Sequence, residues 1–433
     1  MVMHSYYNSN NCLLNNIFLI FLFLGCSCTP TPSPNIKVEG IQPVWSTKLP
    51  GKAGIYNDGL IGLPIYDGKI MFHSTYSTNL ENEDNRVHAL DMETGQIKWT
   101  YPTSYNVEKP FCFSGVPYQY NEFIVAKMWK QGSVKTDKLV GLNLKTGQEL
   151  WYKEILASNS YITNPIVVGE NTDFYYFEQT NKNAILCKGD VVSGQTSAAL
   201  EILPEQGYNY TEVASDLYYD KTKKLIIVGA KERNSLSSDD PLKDSYIYII
   251  DVSNKFSIKK VLFETNNGDK SMYIAHIYCD NDKVFAACGL TTICYNLNTQ
   301  TIDWTYKSTE SYNYMTNNVV VNDGIVFLYG DNRYVGLDVQ TGKKLYQGDI
   351  GCGNANAFNG FVYIISNDGH LYILDIKTGK KLHRITCPER ALPSPKWGGD
   401  FFTGCKPQVY GDKLYVFSCI SAYCYEAVPK EDK

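Results

Sequence analysis

The sequence lacks the features of several common protein classes. Charged residues are only 20% of 433, and 40 Lys and Arg face 45 Asp and Glu, giving a net charge of −5. Without a basic excess the surface cannot neutralise a run of phosphates, so nucleic acid is not expected as a partner. No apolar run approaches the roughly 20 residues of a transmembrane helix. There is no Cys-x-x-Cys motif, no metal-ligand spacing among the six histidines and no glycine-rich phosphate loop, so we expect neither metal nor cofactor.

The amino terminus has the pattern of an export signal. Residues 17–24 (IFLIFLFL) form a short apolar core that Gly25 and Cys26 follow directly. Residues 23–26 (FLGC) resemble the lipobox of bacterial lipoproteins, in which the cysteine is acylated and becomes the first mature residue. We therefore predict a signal peptide over residues 1–25, lipidation of Cys26 and an extended, proline-containing linker over residues 26–40. A cleaved signal with a free cysteine is the alternative.

One short motif recurs along the chain. It consists of Asp or Asn, then Thr or Ser three residues later, then Gly, and in the best copies an aromatic residue eight positions after the Asp or Asn. The Asp or Asn positions are Asp91, Asn143, Asp190, Asp251, Asn296, Asp338 and Asp375. The copies at Asp190, Asp251 and Asn296 are degraded, and the last two have Lys255 and Gln300 in place of the glycine. Their intervals of 37 to 61 residues match the length of a four-stranded propeller blade.

A second periodic signal gives eight units. A short strand that ends in a turn precedes each of the seven motifs, and an eighth such turn follows the last motif. The turns lie at Asp67-Gly68, Asn121, Gly169-Glu170, Asp220, Asn281-Asp282, Asp323-Gly324, Asn359-Gly360 and Gly411-Asp412. The aromatic position of the eighth unit would fall one residue past Lys433, and residues 43–49 (PVWSTKL) supply the missing strand with Trp45 at that position. We therefore predict an all-β domain over residues 41–433. It is an eight-bladed β-propeller of four-stranded antiparallel blades, closed by the N-terminal strand, with seven blades as the fallback.

The motif has a local physical role. The Asp or Asn and the Thr or Ser can bond backbone N–H groups of a turn, and Gly accepts a positive φ at little cost. Trp45, Trp99, Trp151 and Trp304 are then expected to pack between neighbouring blades as docking residues. The set of copies resembles the tryptophan-docking repeat of the pyrroloquinoline-quinone-like (PQQ-like) β-propellers, over residues 43–426.

This resemblance implies two kinds of function. The superfamily contains quinoprotein dehydrogenases, and also non-enzymatic lipoproteins such as the propeller of the outer-membrane β-barrel assembly machine. The soluble alcohol dehydrogenases carry a pair of adjacent cysteines over the quinone and a calcium site, whereas this sequence has no Cys-Cys pair. We therefore expect a non-catalytic, lipid-anchored binding or assembly scaffold at the bacterial outer membrane, facing the periplasm or the surface, monomeric within a larger complex. A quinone-dependent dehydrogenase is one alternative.

Loops that lead into the first strands of successive blades are rich in Tyr and Asn. In a propeller these loops converge on one mouth, where flat aromatic rings and amides suit glycans or extended peptides. The predicted binding residues are Tyr161, Tyr208, Tyr210, Tyr273, Tyr312, Tyr314, Asn354 and Trp397. A glycan-binding surface lipoprotein is thus the second alternative, and because Tyr and Asn are frequent throughout the chain, a chance distribution explains the same pattern.

The thirteen cysteines have two interpretations. Cys294 and Cys424 occupy the small-residue position of the motif, and Cys279 and Cys288 lie in or beside apolar strands, where free cysteine packs as a small hydrophobe. Another three, Cys352, Cys387 and Cys405, lie in loop-like sequence and could form disulfides whose partners the spacing does not assign.

Overall fold

The computed structural model shows an all-β chain. It describes residues 41–49, 70–74, 87–101, 111–113, 118–130, 136–155, 161–162, 166–167, 172–180, 183–204, 210–233, 244–263, 276–288, 290–308, 318–330, 332–391, 399–401, 403–418 and 421–428. All of them belong to one compact unit, Ile36–Lys433. The predicted signal peptide, Cys26 and the whole of the predicted linker lie outside these ranges. Within them the one helical element is a 3₁₀ turn at Pro388–Ala391, and no helix is long and apolar enough to cross a membrane.

The described strands form eight antiparallel sheets, which we number in chain order. Sheet 1 contains β2 (Ile70–Ser74), β3 (Val87–Asp91) and β4 (Ile97–Tyr101), and sheet 2 contains β5 (Phe111–Phe113), β6 (Tyr118–Tyr120), β7 (Phe123–Lys130), β8 (Thr136–Asn143) and β9 (Glu149–Ile155). Sheet 3 contains β10 (Tyr161–Ile162), β11 (Ile166–Val167), β12 (Asp173–Gln179), β13 (Ala184–Asp190) and β14 (Thr196–Ile202). Sheet 4 contains β15 (Tyr210–Asp220), β16 (Leu225–Arg233), β17 (Asp244–Asp251) and β18 (Ser257–Phe263). In sheets 2 and 3 the first strand is split into two short segments that both pair with the second strand.

Sheets 5 to 7 are four-stranded, and in each the strands follow one another in sequence order. They contain β19 (His276–Asp280), β20 (Lys283–Cys288), β21 (Thr291–Asn296) and β22 (Thr301–Lys307); β23 (Asn318–Asn322), β24 (Ile325–Tyr329), β25 (Tyr334–Asp338) and β26 (Lys344–Gly348); and β27 (Cys352–Phe358), β28 (Phe361–Ser366), β29 (His370–Asp375) and β30 (Lys381–Thr386).

The last sheet joins the two ends of the described chain. Sheet 8 contains β31 (Gln408–Tyr410), β32 (Lys413–Phe417), β33 (Ser421–Glu426) and, as its fourth strand, β1 (Trp45–Lys48). Trp45 pairs with Cys424, and Lys48 pairs with Ser421. The N-terminal strand therefore completes the last sheet, as the sequence predicts, and covers an edge of β33 that would otherwise be open.

Neighbouring sheets pack face to face around a common axis. The first strands contact one another in succession, β6 with β11, β11 with β15, β15 with β19, β19 with β23 and β23 with β27. Apolar side chains fill the space between consecutive sheets, and Leu90 and Met92 of sheet 1 pack with Tyr415 and Phe417 of sheet 8. Central strands such as β24 are buried along their whole length, as strands covered on both faces must be. The prediction of an all-β propeller with antiparallel blades is confirmed.

The repeated motif forms the turn between the third and fourth strands. In sheet 6, Oδ1 of Asp338 accepts hydrogen bonds from the backbone N–H of Gln340 (3.1 Å) and Thr341 (2.8 Å) and from the Thr341 hydroxyl (2.7 Å). The Thr341 hydroxyl in turn accepts from the backbone N–H of Lys343 at 3.3 Å. Asp91, Asn143 and Asp190 make the same set of bonds in their own sheets.

Candidate functional site: docking aromatics and the upper-face loops

The order of the strands divides the connections between two faces of the propeller. Successive connections of an antiparallel meander alternate between the two ends of the sheet. The motif turns and the turns between first and second strands share one end, which we call the lower face. The connections between second and third strands, and those from one sheet to the next, share the other end, which we call the upper face. The predicted binding residues that the structure describes, Tyr161, Tyr210 and Asn354, lie in first strands at or near the upper-face end.

The four predicted docking tryptophans join consecutive sheets near the lower face. Each indole N–H donates to the backbone carbonyl oxygen of the residue that follows the motif Asp or Asn in the neighbouring sheet. For Trp45 of sheet 8 this neighbour is sheet 1, and for the other three tryptophans it is the next sheet along the chain. These bonds are Trp45 to Met92 (3.0 Å), Trp99 to Leu144 (2.9 Å), Trp151 to Val191 (2.7 Å) and Trp304 to Val339 (3.1 Å). The interaction of each ring with the neighbouring turn is thus directional as well as apolar.

The motif glycine has two functions at these contacts. The φ of Gly147 is +69°, and a Cβ at this position would lie 2.4 Å from Cε3 of the Trp99 ring. At Gly95, whose φ is +71°, a Cβ would lie 2.5 Å from the Trp45 ring. Glycine is therefore required by the turn conformation and by the approach of the ring.

A fifth docking residue was missed by the sequence prediction. The hydroxyl of Tyr346 donates to the carbonyl oxygen of Ile376, and a Cβ on Gly379 would lie 2.4 Å from the Tyr346 ring. The signal was available, because Tyr346 stands eight residues after Asp338, as the tryptophans do after their own motif residues.

Two junctions whose residues are described on both sides, between sheets 3 and 4 and between sheets 4 and 5, lack the docking pair and show the role of the glycine. Between sheets 3 and 4, Ala198 stands at the aromatic position and Lys255 at the glycine position; Phe256 packs instead against Tyr175, with ring centroids 6.1 Å apart. Between sheets 4 and 5 the corresponding residues are Lys259 and Gln300, joined by a 2.7 Å hydrogen bond from Nζ to Oε1. Lys255 and Gln300 keep positive φ values of 50° and 60°. Glycine is thus replaced where no ring covers it.

On the upper face, sheets 7 and 8 hold a connected cluster of charged side chains. Arg390 belongs to the 3₁₀ turn in the connection from β30 to β31. Its Nε bonds Asp400, one terminal nitrogen donates to the Asp368 carbonyl oxygen, and the other donates to Nε2 of His370 at 2.6 Å. Arg384 of β30 also donates to Nε2 of His370. Arg390 therefore ties the inter-sheet connection to the turn between β28 and β29.

Backbone contacts reinforce this tie. The N–H of Phe401 donates to the Gly369 carbonyl oxygen at 3.0 Å, and Phe401 also forms a β-bridge with Ser418 of sheet 8. Gly369 has a φ of +77°, and a Cβ there would lie 2.3 Å from Cγ of Asp400. The connection thus lies closely against both sheets.

His370 is the central group of the cluster and is only 3% exposed. Burial, with Arg390 and Arg384, holds the pKa of its imidazole below the usual value, against an opposing contribution from Asp368. One carboxylate oxygen of Asp368 accepts a hydrogen bond from the Tyr372 hydroxyl at 2.8 Å, and the other accepts one from the backbone N–H of His370 at 3.1 Å. Towards solvent the cluster presents Arg390 (34% exposed) and Asp400 (55% exposed), a polar pair suited to contact with another protein.

The structure describes the predicted binding residues unevenly. Asn354 lies in β27, and its amide donates to the Thr403 carbonyl oxygen at 2.9 Å, a contact that holds sheet 7 to the connection before sheet 8. Two others, Tyr161 and Tyr210, are the first residues of β10 and β15, with side chains outside the described set. The remaining five, Tyr208, Tyr273, Tyr312, Tyr314 and Trp397, lie outside the described residues. The only one of the eight side chains that can be placed therefore makes an internal contact.

Eight cysteines in the described ranges form no disulfide. They are Cys187, Cys279, Cys288, Cys294, Cys352, Cys387, Cys405 and Cys424. Cys352 begins β27 rather than lying in a loop, and Cys387 and Cys405 are buried without a disulfide. Burial raises the pKa of Cys387 to about 12 and that of Cys424 to about 11, which suppresses the reactive thiolate. The described part of the chain also contains no group of three or more His, Cys, Asp or Glu that could hold a metal ion.

Comparison with known proteins supports the repeat assignment. The family model described as "Outer membrane protein assembly factor BamB" matches residues 39–234. A sequence comparison with curated proteins finds no match.

Solved structures with the same fold include BamB from Moraxella catarrhalis, at 15% identity and a TM-score of 0.57, with 89% of this chain and 99% of that one covered. Quinohemoprotein alcohol dehydrogenases from Comamonas testosteroni and Pseudomonas putida match at 12% identity with TM-scores of 0.61 and 0.59, each covering 89% of this chain and 76% of the other. At these identities the structures show the fold alone. The chain is an all-β propeller whose residues 39–234 match the family model of the outer-membrane protein assembly factor BamB.

Proposed function

We propose that this protein is a non-catalytic, lipid-anchored scaffold that binds a protein partner at the bacterial outer membrane. The observation that carries the proposal is the match of residues 39–234 to the family model of an outer-membrane assembly factor. The motif aromatics and glycines serve to join the sheets near the lower face, so the upper-face loops take no part in this docking. Partner contact there follows the usual modes of loop insertion or strand addition.

The proposed domain organisation is a signal peptide over residues 1–25, a linker from acylated Cys26 to residue 40, and an eight-bladed ring over residues 41–433. Eight sheets and the pairing of β1 with β33 support the blade number. Class averages of the isolated domain viewed along its axis by electron microscopy test it. Eight radial densities are expected, and seven would contradict the proposed ring.

The anchor is tested by metabolic labelling with an acyl chain. Replacing Cys26 by Ala should abolish labelling and release the protein from the membrane fraction. Cys28→Ala is the matched control, because Cys28 lies two residues further along the same segment, and it should leave both properties unchanged. Equal labelling of the Cys26→Ala variant would refute the anchor.

The scaffold surface is tested by site-specific photo-crosslinking in cells. Asp349 lies in the upper-face connection between β26 and β27 with its side chain 84% exposed. Glu122 is the lower-face control, because it lies in the turn before β7 and is also exposed. A photoreactive residue at Asp349 should crosslink one outer-membrane protein repeatedly, whereas the same residue at Glu122 should not. Crosslinking from Glu122 alone, or to no membrane protein, would contradict the proposal.

The likeness to quinohemoprotein alcohol dehydrogenases raises quinone-dependent oxidation as a second candidate. The residues of this chain do not match those that the quinone and its calcium ion would require. The sequence has no adjacent cysteine pair, and among the described residues no group of carboxylates is able to hold a cation. No catalytic step is derived through that cofactor. Reconstitution with the quinone and calcium is the test, and a stoichiometric chromophore with alcohol oxidation would overturn the non-catalytic assignment.

A further inference from the structure

The upper-face cluster contains one group whose charge changes near neutral pH. Nε2 of His370 accepts hydrogen bonds from the guanidinium groups of Arg384 and Arg390. A ring nitrogen can accept only when it carries no proton, so these partners require a neutral imidazole protonated at Nδ1. The contacts therefore exist in one protonation state only.

The same contacts hold a connection in place. Arg390 reaches His370 from the 3₁₀ turn that follows β30, and it also bonds Asp400 and the Asp368 carbonyl oxygen. Residues 388–391 are thereby tied to the β28–β29 turn, and part of this tie passes through His370.

We propose that His370 is a pH-dependent latch for the connection between sheets 7 and 8. Protonation removes the acceptor of both arginines and places a third positive charge between them. The described residues 388–391 and 399–401 are then held less tightly to the β28–β29 turn, through the remaining Arg390–Asp368 and Phe401–Gly369 bonds alone. The upper-face surface between these two sheets changes as a result. This switch is a property of the fold and does not depend on the identity of a partner.

The charged groups around His370 determine where the latch opens. Asp368 precedes it in the β28–β29 turn, Arg384 faces it from β30, and Arg390 and Asp400 face it from the inter-sheet connection. The Tyr372 ring of β29 lies edge-on, with centroids 6.3 Å apart. Burial and the two guanidiniums disfavour the imidazolium more than the two carboxylates favour it. Opening is therefore expected below the usual histidine pKa of about 6.5.

Native-state hydrogen exchange of the full chain tests the latch. Amides of residues 387–391 and 399–405 are followed from about pH 7 to about pH 4.5, a range that spans ordinary histidine titration. Each exchange rate is divided by the rate of the same amide in the Arg390→Met variant at the same pH. This variant lacks the Arg390 contacts at every pH, and the ratio removes the intrinsic pH dependence of exchange.

In wild type this ratio should be lowest at neutral pH and should rise by up to about tenfold in acid, because losing a hydrogen bond to a charged group corresponds to roughly tenfold. His370→Gln has no titrating group and should give a ratio that does not change with pH. His383→Gln is the matched control, because His383 lies on β30 in the same sheet and should behave as wild type. A wild-type ratio that stays constant across the range, or a pH response that disappears in His383→Gln instead, would overturn the proposal.

Discussion

Replacing Gly147 by Ala should destabilise the propeller more than replacing Gly324 by Ala. Both glycines have positive φ, +69° and +80°, so each alanine should cost about 1 kcal/mol of backbone strain. A Cβ on Gly324 meets nothing within 4 Å, whereas a Cβ on Gly147 lies 2.4 Å from the Trp99 ring. Moving that ring adds an overpacking cost of about 1–3 kcal/mol and lengthens the Trp99 bond to Leu144. We expect a total near 3 kcal/mol at Gly147.

Denaturant unfolding of the two variants and wild type, followed by tryptophan fluorescence, measures the difference. A double-mutant cycle with Trp99→Ala isolates the ring contact. In the Trp99→Ala background, Gly147→Ala should cost only the strain seen at Gly324. Equal losses for the two glycine variants in the wild-type background, within about 0.5 kcal/mol, would refute the assignment of Gly147 as a ring-contact glycine.

Three further predictions concern the turns, the thiols and acid stability. Asp338→Ala should lower the free energy of unfolding by about 1 kcal/mol because three donors lose their acceptor. Asp338→Asn should be nearly neutral, because Asn143 already serves this role in sheet 2. Equal losses for the two variants in denaturant unfolding would contradict this prediction. Cys187 and Cys294, with pKa values raised to about 12 by burial, should react with a thiol reagent only after unfolding; native-state labelling, read by mass spectrometry, would be inconsistent with their burial. His370, whose pKa is lower folded than unfolded, binds its proton preferentially in the unfolded chain. Stability should therefore fall as the pH drops below about 6.5, and denaturant unfolding should show a smaller fall for His370→Gln; parallel curves would argue against this.

The repeat and its turn chemistry were predictable from residue order. Asp91, Thr94 and Gly95 act within a few residues of one another, so their hydrogen bonds and the positive φ depend on local sequence. The sequence also predicted that the strand of Trp45 belongs to the final sheet, because Trp45 occupies the aromatic position of the repeat. Its partner Cys424 lies far along the chain, so the pairing itself is not local. Local periodicity is sufficient where each unit repeats one structure.

The contacts between units were decided only by the tertiary structure. No spacing indicates that Phe256 replaces a missing tryptophan by packing on Tyr175, or that Asn354, predicted to bind a ligand, bonds the Thr403 backbone. Nor does any spacing indicate that Arg384 and Arg390 converge on one ring nitrogen of His370. The sequence by itself determined the repeating β-structure, because each turn is encoded within its own blade. Which side chains meet across a junction depends on how neighbouring sheets stack, and only the folded ring determines that.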